Sequence, residues 1–344
     1  MSEIELQDQI LRNALELQRL SAHEEERAEA ILRQLEADLR QLLATGDLSE
    51  AGKREVEAII RQADRAIEGR YLTIADSIDM RDLVEVVSER TVAAMREVIP
   101  RALIPTPERM ASLSKEILID GSRASAWWAK QAEDTAFKFA AEVRQGVLNG
   151  EAQEQIVGRI VGRGGDPGVL TVARRNARTL VHSSIMSAAN QARLETYKKN
   201  SRHIDGIRWL ASLDGITCIQ CMALDGSTWD IEGKPTGETT LPFQLPPAHF
   251  SCRCVATPIP KSLNKILGRT GLDERLAATR TRASSSGPTT ATTFGEFLKR
   301  QSPEFIEESL GTERAALWRA GKITLRDLVS GSGRPLTLDQ IAGR

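Results

Sequence analysis

The feature that most constrains this 344-residue chain is one short stretch, residues 207–260, which contains all four of its cysteines. The cysteines form a C-x-x-C pair and a later C-x-C pair, and a histidine precedes the second pair. Thiolate sulfur and neutral imidazole are preferred zinc ligands, and the first spacing lets both sulfurs face one ion. We therefore predict a closed, structural Zn2+ site in this cysteine segment. The candidate metal ligands are Cys218, Cys221, His249, Cys252 and Cys254.

A tetrahedral zinc site has four places, so one of the candidates is spare. We expect Cys218 and Cys221 to be ligands, together with two of the other three side chains. Disulfides are the main alternative for the same cysteines. The chain opens with the charged, helix-like MSEIELQDQI, so we expect no secretory signal and reduced thiols, which favour a metal.

Catalytic interpretations of the cysteine segment need other residues. A zinc deaminase needs His-x-Glu ahead of its cysteines, whereas Phe250 and Ser251 follow His249. A catalytic zinc also keeps an open position with three protein ligands, and this segment offers more. A Cys–His peptidase centre needs only one activated thiol beside a histidine, so it stays open as an alternative. We predict no catalytic residues here.

The order and spacing of residues around the cysteines carry a family resemblance. The residues are Arg208-Trp209, Asp214, Cys218-x-x-Cys221, Leu224-Asp225-Gly226 and Pro246-Pro247-x-His249-x-x-Cys252-Arg253-Cys254. Together they resemble the signature of the tailed-phage head morphogenesis family, the Mu F-like minor head proteins. The C-terminal tail, with Phe297-Leu298-x-x-Gln301, resembles a segment that often follows this signature.

The resemblance implies a structural minor head (capsid) protein of a tailed phage or prophage rather than an enzyme. It implies a component of the virion head, assembled in the bacterial host cytoplasm and acting near the portal vertex through protein–protein contacts. The implied partners are the portal protein and major capsid or scaffold subunits. Phage DNA is a further candidate partner, and no membrane is implied.

Polar and aromatic residues around the cysteines are expected to support the predicted site. On the preceding helix, Arg178 and Asn190 resemble polar positions of the same family, and each is expected to hydrogen-bond to a loop of the cysteine segment. Asp-Gly pairs predict turns on either side of the first cysteine pair, and two tryptophans are expected to cover one face of a small ribbon. The predicted supporting residues are Arg178, Asn190, Trp209, Asp214, Asp225, Gly226 and Arg253.

Helical periodicity dominates the rest of the chain. Residues 3–43 read as one long helix whose apolar seam includes Leu32, Leu35, Leu39 and Leu42. Gly46 and an Asp47–Glu50 capping box then predict a turn into a second helix and a long antiparallel helical hairpin. A seam this narrow could instead pair with helices of another protein, which stays an alternative. Further along, we expect a buried Trp127 beside a half-exposed Trp128.

The fold class predicted is mainly α, with a long helical hairpin, a helical core and a small zinc-stapled α+β module. Five segments are predicted: an N-terminal helical arm (1–105), a helical core (106–205), a Cys/His zinc-like module (206–260), a basic and Ser/Thr-rich linker (261–293) and a C-terminal helical tail (294–344).

Composition limits the remaining functions. A net charge of -1 gives no overall attraction to nucleic acid or anionic membranes, and no apolar run approaches the roughly 18 residues that span a bilayer. Two alternatives stay open: an enzyme that uses the Cys/His cluster, and a DNA-binding zinc protein that aids genome packaging or ejection. The second would use a modest basic stretch beside the cysteine segment, namely Arg269, Arg275, Arg280 and Arg282.

Overall fold

The computed structural model of the protein describes residues 3–44, 52–261, 282–285, 287–290 and 293–343. The helices are α1 (Glu3–Ala44), α2 (Lys53–Ser77), α3 (Met80–Arg96), α4 (Pro107–Lys115), α5 (Ala124–Leu148), α6 (Gln153–Val161), α7 (Val169–Lys199), α8 (Ile219–Leu224), α9 (Phe294–Leu298), α10 (Pro303–Leu310), α11 (Thr312–Arg319) and α12 (Leu338–Ala342). The strands are β1 (Leu118–Ile119), β2 (Ser122–Arg123), β3 (Ile204–Leu210), β4 (Thr228–Trp229), β5 (Pro235–Thr236), β6 (Val255–Pro260), β7 (Arg282–Ser284) and β8 (Gly287–Thr289). The predicted mainly α fold with a small α+β module is confirmed.

The described residues group into two compact units, each built from segments that are distant in the sequence. We call one the cysteine unit (Met1–Leu17, Arg81–Lys115 and Met186–Arg344) and the other the helical unit (Gln18–Met80 and Glu116–Ile185). The five-segment division along the chain stays a prediction. Among the described helices, none combines the length and the hydrophobicity that a bilayer crossing requires.

Helix α1 is the long N-terminal helix that the apolar spacing predicts. Its buried residues recur every three or four positions, as Leu32, Leu35 and Leu39 show. The seam then continues to the buried Leu43, and the predicted Leu42 is only partly buried. The turn and capping box predicted between α1 and α2 lie outside the described residues.

In the helical unit, α2 packs most closely against α5. The rings of Tyr71 and Trp128 lie 6.4 Å apart, and the Tyr71 hydroxyl is 3.0 Å from Thr135 Oγ1. The prediction for the paired tryptophans is wrong: Trp128 is buried, whereas Trp127 lies at the edge of the buried face. Trp127 donates its Nε1 hydrogen to the Ile119 carbonyl of the β1–β2 hairpin, which fixes it there.

The cysteine unit contains an antiparallel sheet with strand order β5-β4-β3-β6. Strands β3 and β4 lie before and after the first cysteine pair in the sequence, and Arg208 pairs with Thr228 between them. Strand β6 was not predicted, because its sequence VATPIP contains two prolines. Proline is tolerated there because β6 is an edge strand, paired only with β3.

The outer edge of β6 is covered by side chains of α7. Asn190 Nδ2 donates to the Cys254 carbonyl at 3.2 Å, and Asn190 Oδ1 accepts from the Ala256 amide at 3.1 Å. The Tyr197 hydroxyl donates to the Ala256 carbonyl at 3.0 Å. Edge backbone groups that would otherwise be free are thus satisfied by buried side chains.

The C-terminal helices pack onto the cysteine segment. Phe294 and Phe297 of α9 and Leu310 of α10 join one buried cluster with Trp209 and Cys221. The Phe294 and Phe297 rings meet edge to face at 5.6 Å. These contacts give the short cysteine segment a hydrophobic core that it shares with the tail.

Candidate metal centre

The first cysteine pair sits at the start of α8. Cys218 is the N-cap of this helix, and its Sγ accepts a hydrogen bond of 3.5 Å from the Cys221 amide. Helix geometry then turns Cys221 back toward Cys218, because the two residues are one turn apart. The Cys221 side chain is buried and that of Cys218 is half-buried. The C-x-x-C spacing thus presents both sulfurs on one side of the turn.

His249 approaches this pair through one defined ring nitrogen. Its Nε2 lies 3.1 Å from Cys218 Sγ and 3.2 Å from Cys221 Sγ. Its Nδ1 lies 2.7 Å from the Phe250 carbonyl, which can only accept, so we place the ring hydrogen on Nδ1. Once the Nε2 proton is displaced, as metal binding requires, the lone pair of Nε2 would face both sulfurs. A backbone acceptor on the far nitrogen is the usual arrangement for a metal-ligating histidine.

The second cysteine pair enters from the turn after His249. The Cys252 amide donates to the His249 carbonyl at 3.2 Å, and Ser251 in this turn has a positive φ of 61°. Cys252 Sγ lies 3.6 Å from Cys221 Sγ. Both cysteines of the pair, Cys252 and Cys254, are buried, and no disulfide joins any of the four cysteines.

The five predicted ligands come together as two overlapping triads. The ligand atoms within each triad lie within 4.8 Å of one another, and the triads are Cys218–Cys221–His249 and Cys221–Cys252–Cys254. Ligand atoms around a tetrahedral zinc ion are roughly 3.5–3.8 Å apart. The contacts to Cys221 are close to this spacing. These groups could hold a metal ion, with Cys221 common to both triads.

The clustered side chains strongly perturb one another's protonation. The hydrogen bond with Cys221, followed by that with His249, lowers the pKa of Cys218 to about 4. Hydrogen bonds with Cys218 and then Cys252 raise the pKa of His249 to about 11. Burial raises the pKa of Cys254 well above that of an ordinary thiol. Several thiolates cannot share this buried space without a compensating positive charge, which a divalent cation would supply.

Asp214 and Arg253 connect the two cysteine pairs from outside the cluster. Arg253, between Cys252 and Cys254 in the chain, donates two hydrogen bonds of 2.7 and 2.9 Å to the Asp214 carboxylate. Asp214 also accepts from the Ile216 amide at 3.1 Å, which shapes the loop before the first pair. A bidentate ion pair of this kind fixes orientation as well as distance. The two residues therefore hold the loops that carry the thiols.

Asp225 connects three separate parts of the chain. It forms a buried ion pair with Arg282, whose Nη2 lies 2.7 Å from Asp225 Oδ1. The same carboxylate accepts from the backbone amides of Ala211 and Phe294, each at 2.6 Å. The side chain of Asp225 is fully buried. Its charge is therefore compensated by a guanidinium and two amides, as a buried carboxylate requires.

Gly226 follows Asp225 because the turn needs a positive φ, here 83°. Its amide donates to the Trp209 carbonyl at 2.9 Å, and a Cβ at this position would touch the Thr293 methyl group at 3.4 Å. Trp209 and Trp229 are both buried in the same hydrophobic cluster, and Trp229 Nε1 donates to the Leu241 carbonyl at 2.9 Å. The predicted aromatic cover and Asp-Gly turn are thus found in one place.

The two predicted supports on α7 have different locations. Asn190 hydrogen-bonds to the backbone at Cys254 and Ala256, next to the cluster. The structure does not bring Arg178 there; in the helical unit its guanidinium lies 3.4 Å from Glu25 and from Glu29. Twelve residues of helix separate the two positions by roughly 18 Å along the axis.

Arg282 is buried against Asp225, whereas the sequence assigned it to a basic stretch that could bind DNA. Its contacts with Asp225 and with the Ala211 carbonyl bury it, so it is not available to a DNA phosphate. The other arginines of the predicted basic stretch lie outside the described residues. Nothing local in the Ser/Thr-rich sequence around Arg282 signals this pairing, which depends on a carboxylate 57 positions away.

Comparison with known proteins gives one match. Residues 138–257 match the family described as Phage Mu protein F like protein, and no curated protein and no solved structure matches the chain. The matched residues include all five candidate ligands, whereas the tail, whose resemblance stays a prediction, lies beyond them. Over residues 138–257 the chain is therefore Mu F-like, as its sequence predicted, and it is consistent with a phage head morphogenesis protein.

Proposed function

We propose that this protein is a structural minor head protein of a tailed phage or prophage, acting in head morphogenesis near the portal vertex. The observation that carries the proposal is the coincidence of the family match with the Cys/His cluster: all five candidate ligands lie within residues 138–257. The family points to a structural role rather than to an enzyme. In this role the protein contacts the portal protein and major capsid or scaffold subunits in the virion head.

The proposed cofactor is one structural zinc ion. The chemistry of the donors supports this choice, because thiolate and imidazole ligands select zinc over magnesium or calcium. Cys218, Cys221 and His249 would supply three ligands, and Cys252 or Cys254 the fourth. When bound, the ion would neutralise the buried thiolates and cross-link the two loops that carry them. Those loops have little regular structure of their own.

The head role is tested by the number of copies per particle. Purified procapsids and mature heads would be analysed by quantitative mass spectrometry, alongside particles assembled without the portal. We expect a few copies per particle, with the protein lost when the portal is omitted. Absence from both procapsids and heads would overturn the proposal, and so would a copy number that matches the major capsid protein.

The zinc proposal has its own test, which does not require particles. Metal analysis of the purified full chain should give about one zinc per chain, as a closed tetrahedral site requires. A strong chelator should lower the melting temperature of the cysteine unit. A chain that contains no metal and melts at the same temperature with and without chelator would overturn this part.

A further inference from the structure

The helical unit has an open groove of about 380 Å3 that no part of the proposed function uses. It lies between α2 and α5. Its floor consists of Tyr71, Trp128 and Ala132, which are nearly buried, and the hydrogen bond between Tyr71 and Thr135 holds this floor in place. The complete lining is Asp64, Glu68, Tyr71, Leu72, Ala75, Asp76, Ser125, Trp128, Ala129, Ala132, Glu133 and Ala136.

The shape of the groove matches an α-helix. The lining residues of α2 extend from Asp64 to Asp76, roughly 18 Å along the helix axis, and those of α5 cover a similar length. On α5 the groove is lined by small side chains, with Ala129, Ala132 and Ala136 spaced at three and four residues. Small residues at this spacing let another helix approach closely, and a helix of about 12 residues would fill the length.

The groove leaves apolar surface exposed that a partner would bury. Leu72 stands on its α2 wall with 57% of its surface exposed, and Ala129 on its α5 wall is also exposed. Aromatic and aliphatic side chains at the bottom of a groove are the usual anchors for an amphipathic helix. The partner should therefore present apolar residues at positions i, i+3 or i+4, and i+7.

The rim of the groove is acidic. Four carboxylates line it, Asp64, Glu68 and Asp76 on α2 and Glu133 on α5, and none forms a salt bridge with the described residues. Unlike them, the neighbouring carboxylates Glu57 and Asp134 are paired with Arg144 and Lys130. Like charges around an apolar groove repel one another and attract a basic partner.

From this groove and its charge we propose that α2 and α5 form a docking site for a basic amphipathic helix of a partner protein. The apolar face of that helix packs on Trp128 and Leu72, and its Lys or Arg side chains reach the four carboxylates. The proposal is independent of the metal centre and of the head role, since it uses only residues of the helical unit. It can therefore fail without affecting them, and they can fail without affecting it.

The test is a selection from a library of about 14-residue helical peptides, in which the exposed positions are randomised. The full-length chain is the bait, and binding of the enriched peptides is measured by fluorescence anisotropy. We expect enriched peptides to be basic and to bind more weakly as salt is raised. Enrichment of neutral or acidic peptides, or of none, would overturn the proposal.

Two matched variants locate the binding. Ala129→Trp fills the groove from an exposed position, whereas Ala126→Trp places the same side chain on the same helix outside the lining. We expect Ala129→Trp to weaken binding about tenfold or more and Ala126→Trp to leave it unchanged. Equal effects of the two substitutions would contradict the groove as the site. Circular dichroism of each variant shows whether the helices are intact.

Charge reversal and self-association complete the test. Glu68→Lys with Glu133→Lys should abolish the preference for basic peptides, whereas the control pair Glu89→Lys with Glu97→Lys, outside the groove, should retain it.

A second copy of the chain is the other occupant to test, by equilibrium sedimentation of the full chain. A dimer that Ala129→Trp dissociates would mean that a second copy fills the groove, and the proposal would then be wrong.

Discussion

The cysteine unit and the helical unit bring distant parts of the chain together in different ways. In the helical unit, long helices bury regular apolar faces, and their ion pairs, such as Arg70 with Asp38, are partly exposed. In the cysteine unit, short elements are connected by buried polar groups, of which Asp225 and Asn190 are the clearest. A buried apolar helix face needs no specific hydrogen-bond partner, whereas the polar groups of irregular loops need particular partners. The two units should therefore respond differently to single substitutions.

Removal of a metal ligand should give the largest difference in stability between the two units. Cys221→Ser takes away the ligand common to both triads, and structural zinc supplies on the order of 10–16 kcal/mol of apparent folding free energy in small modules. We expect zinc to be lost and amide hydrogens of residues 207–260 to exchange rapidly, while α2 and α5 stay protected. Hydrogen–deuterium exchange with metal analysis measures both. The control Met222→Leu should retain zinc, and zinc retention by Cys221→Ser would contradict the site.

Breaking the buried ion pair should have the next largest effect. Asp225→Asn leaves Arg282 buried without a counterion, so we expect a loss of about 3–5 kcal/mol in the free energy of unfolding of the cysteine unit. The less buried pair gives a comparison: Asp214→Asn should cost less, about 1.5–3 kcal/mol, as the loss of hydrogen bonds to a charged group does. Denaturant unfolding measures both. The double variant Asp225→Asn with Arg282→Met should recover part of the loss, and equal costs for the two Asp variants would be evidence against this difference.

Two buried tyrosine hydroxyls allow the same substitution in each unit. Tyr197→Phe leaves the buried Ala256 carbonyl without its donor from α7, so we expect a cost of about 1–3 kcal/mol. Tyr71→Phe should cost about 0.5–1.5 kcal/mol, because Thr135 keeps its bond to the Gln131 carbonyl. Chemical denaturation of the two variants gives the difference. A cost near zero for Tyr197→Phe would show that the edge of β6 does not depend on this hydrogen bond from α7.

The smallest expected effect is a pH dependence in the helical unit. Burial acts to raise the pKa of Glu36, but hydrogen bonds from Arg40 and Arg174 outweigh it and lower the pKa below the ordinary 4.5. A carboxyl group whose pKa is lower in the folded protein stabilises the fold at pH values above its pKa in the unfolded chain. This stabilisation is lost as the pH falls through the pKa of the folded state. Glu36→Gln should therefore cost less than about 1 kcal/mol at neutral pH and almost nothing at about pH 3. Urea unfolding at both pH values measures this, with Glu26→Gln as the exposed control; a cost that persists in acid would contradict it.

Different features of the two units could be predicted from the sequence. The period of apolar residues predicted α1, because helix burial repeats every three or four positions. It assigned the wrong tryptophan to the core. Trp127 and Trp128 are adjacent, so an error of one position in placing the apolar face selects Trp127 instead of Trp128. The bond from Trp127 to Ile119 that decides between them depends on a hairpin that the sequence did not indicate.

In the cysteine unit, the cluster itself could be predicted because its ligands are rare residues at a recognisable spacing. Its supports were predicted in part: Asn190 lies where expected, Arg178 does not, and Arg282 was assigned to a basic stretch. Long-range pairs such as Asp225 with Arg282 produce no repeating pattern in the sequence from which they could be predicted. Strand β6 was missed because its two prolines argue against a strand, and the side chains of α7 that bond to its outer edge are distant in the sequence.

The covered edge of β6 also limits how this protein can associate with copies of itself. An open strand edge is a template on which another chain can add a strand, and crowded molecules can join into extended sheets in this way. With Asn190 and Tyr197 occupying the backbone groups at Cys254 and Ala256, an added strand cannot pair with this edge at those residues. The opposite edge of this sheet is the two-residue β5, which offers little length for pairing. The same side chains that brace the cysteine segment thus protect the sheet against uncontrolled polymerisation.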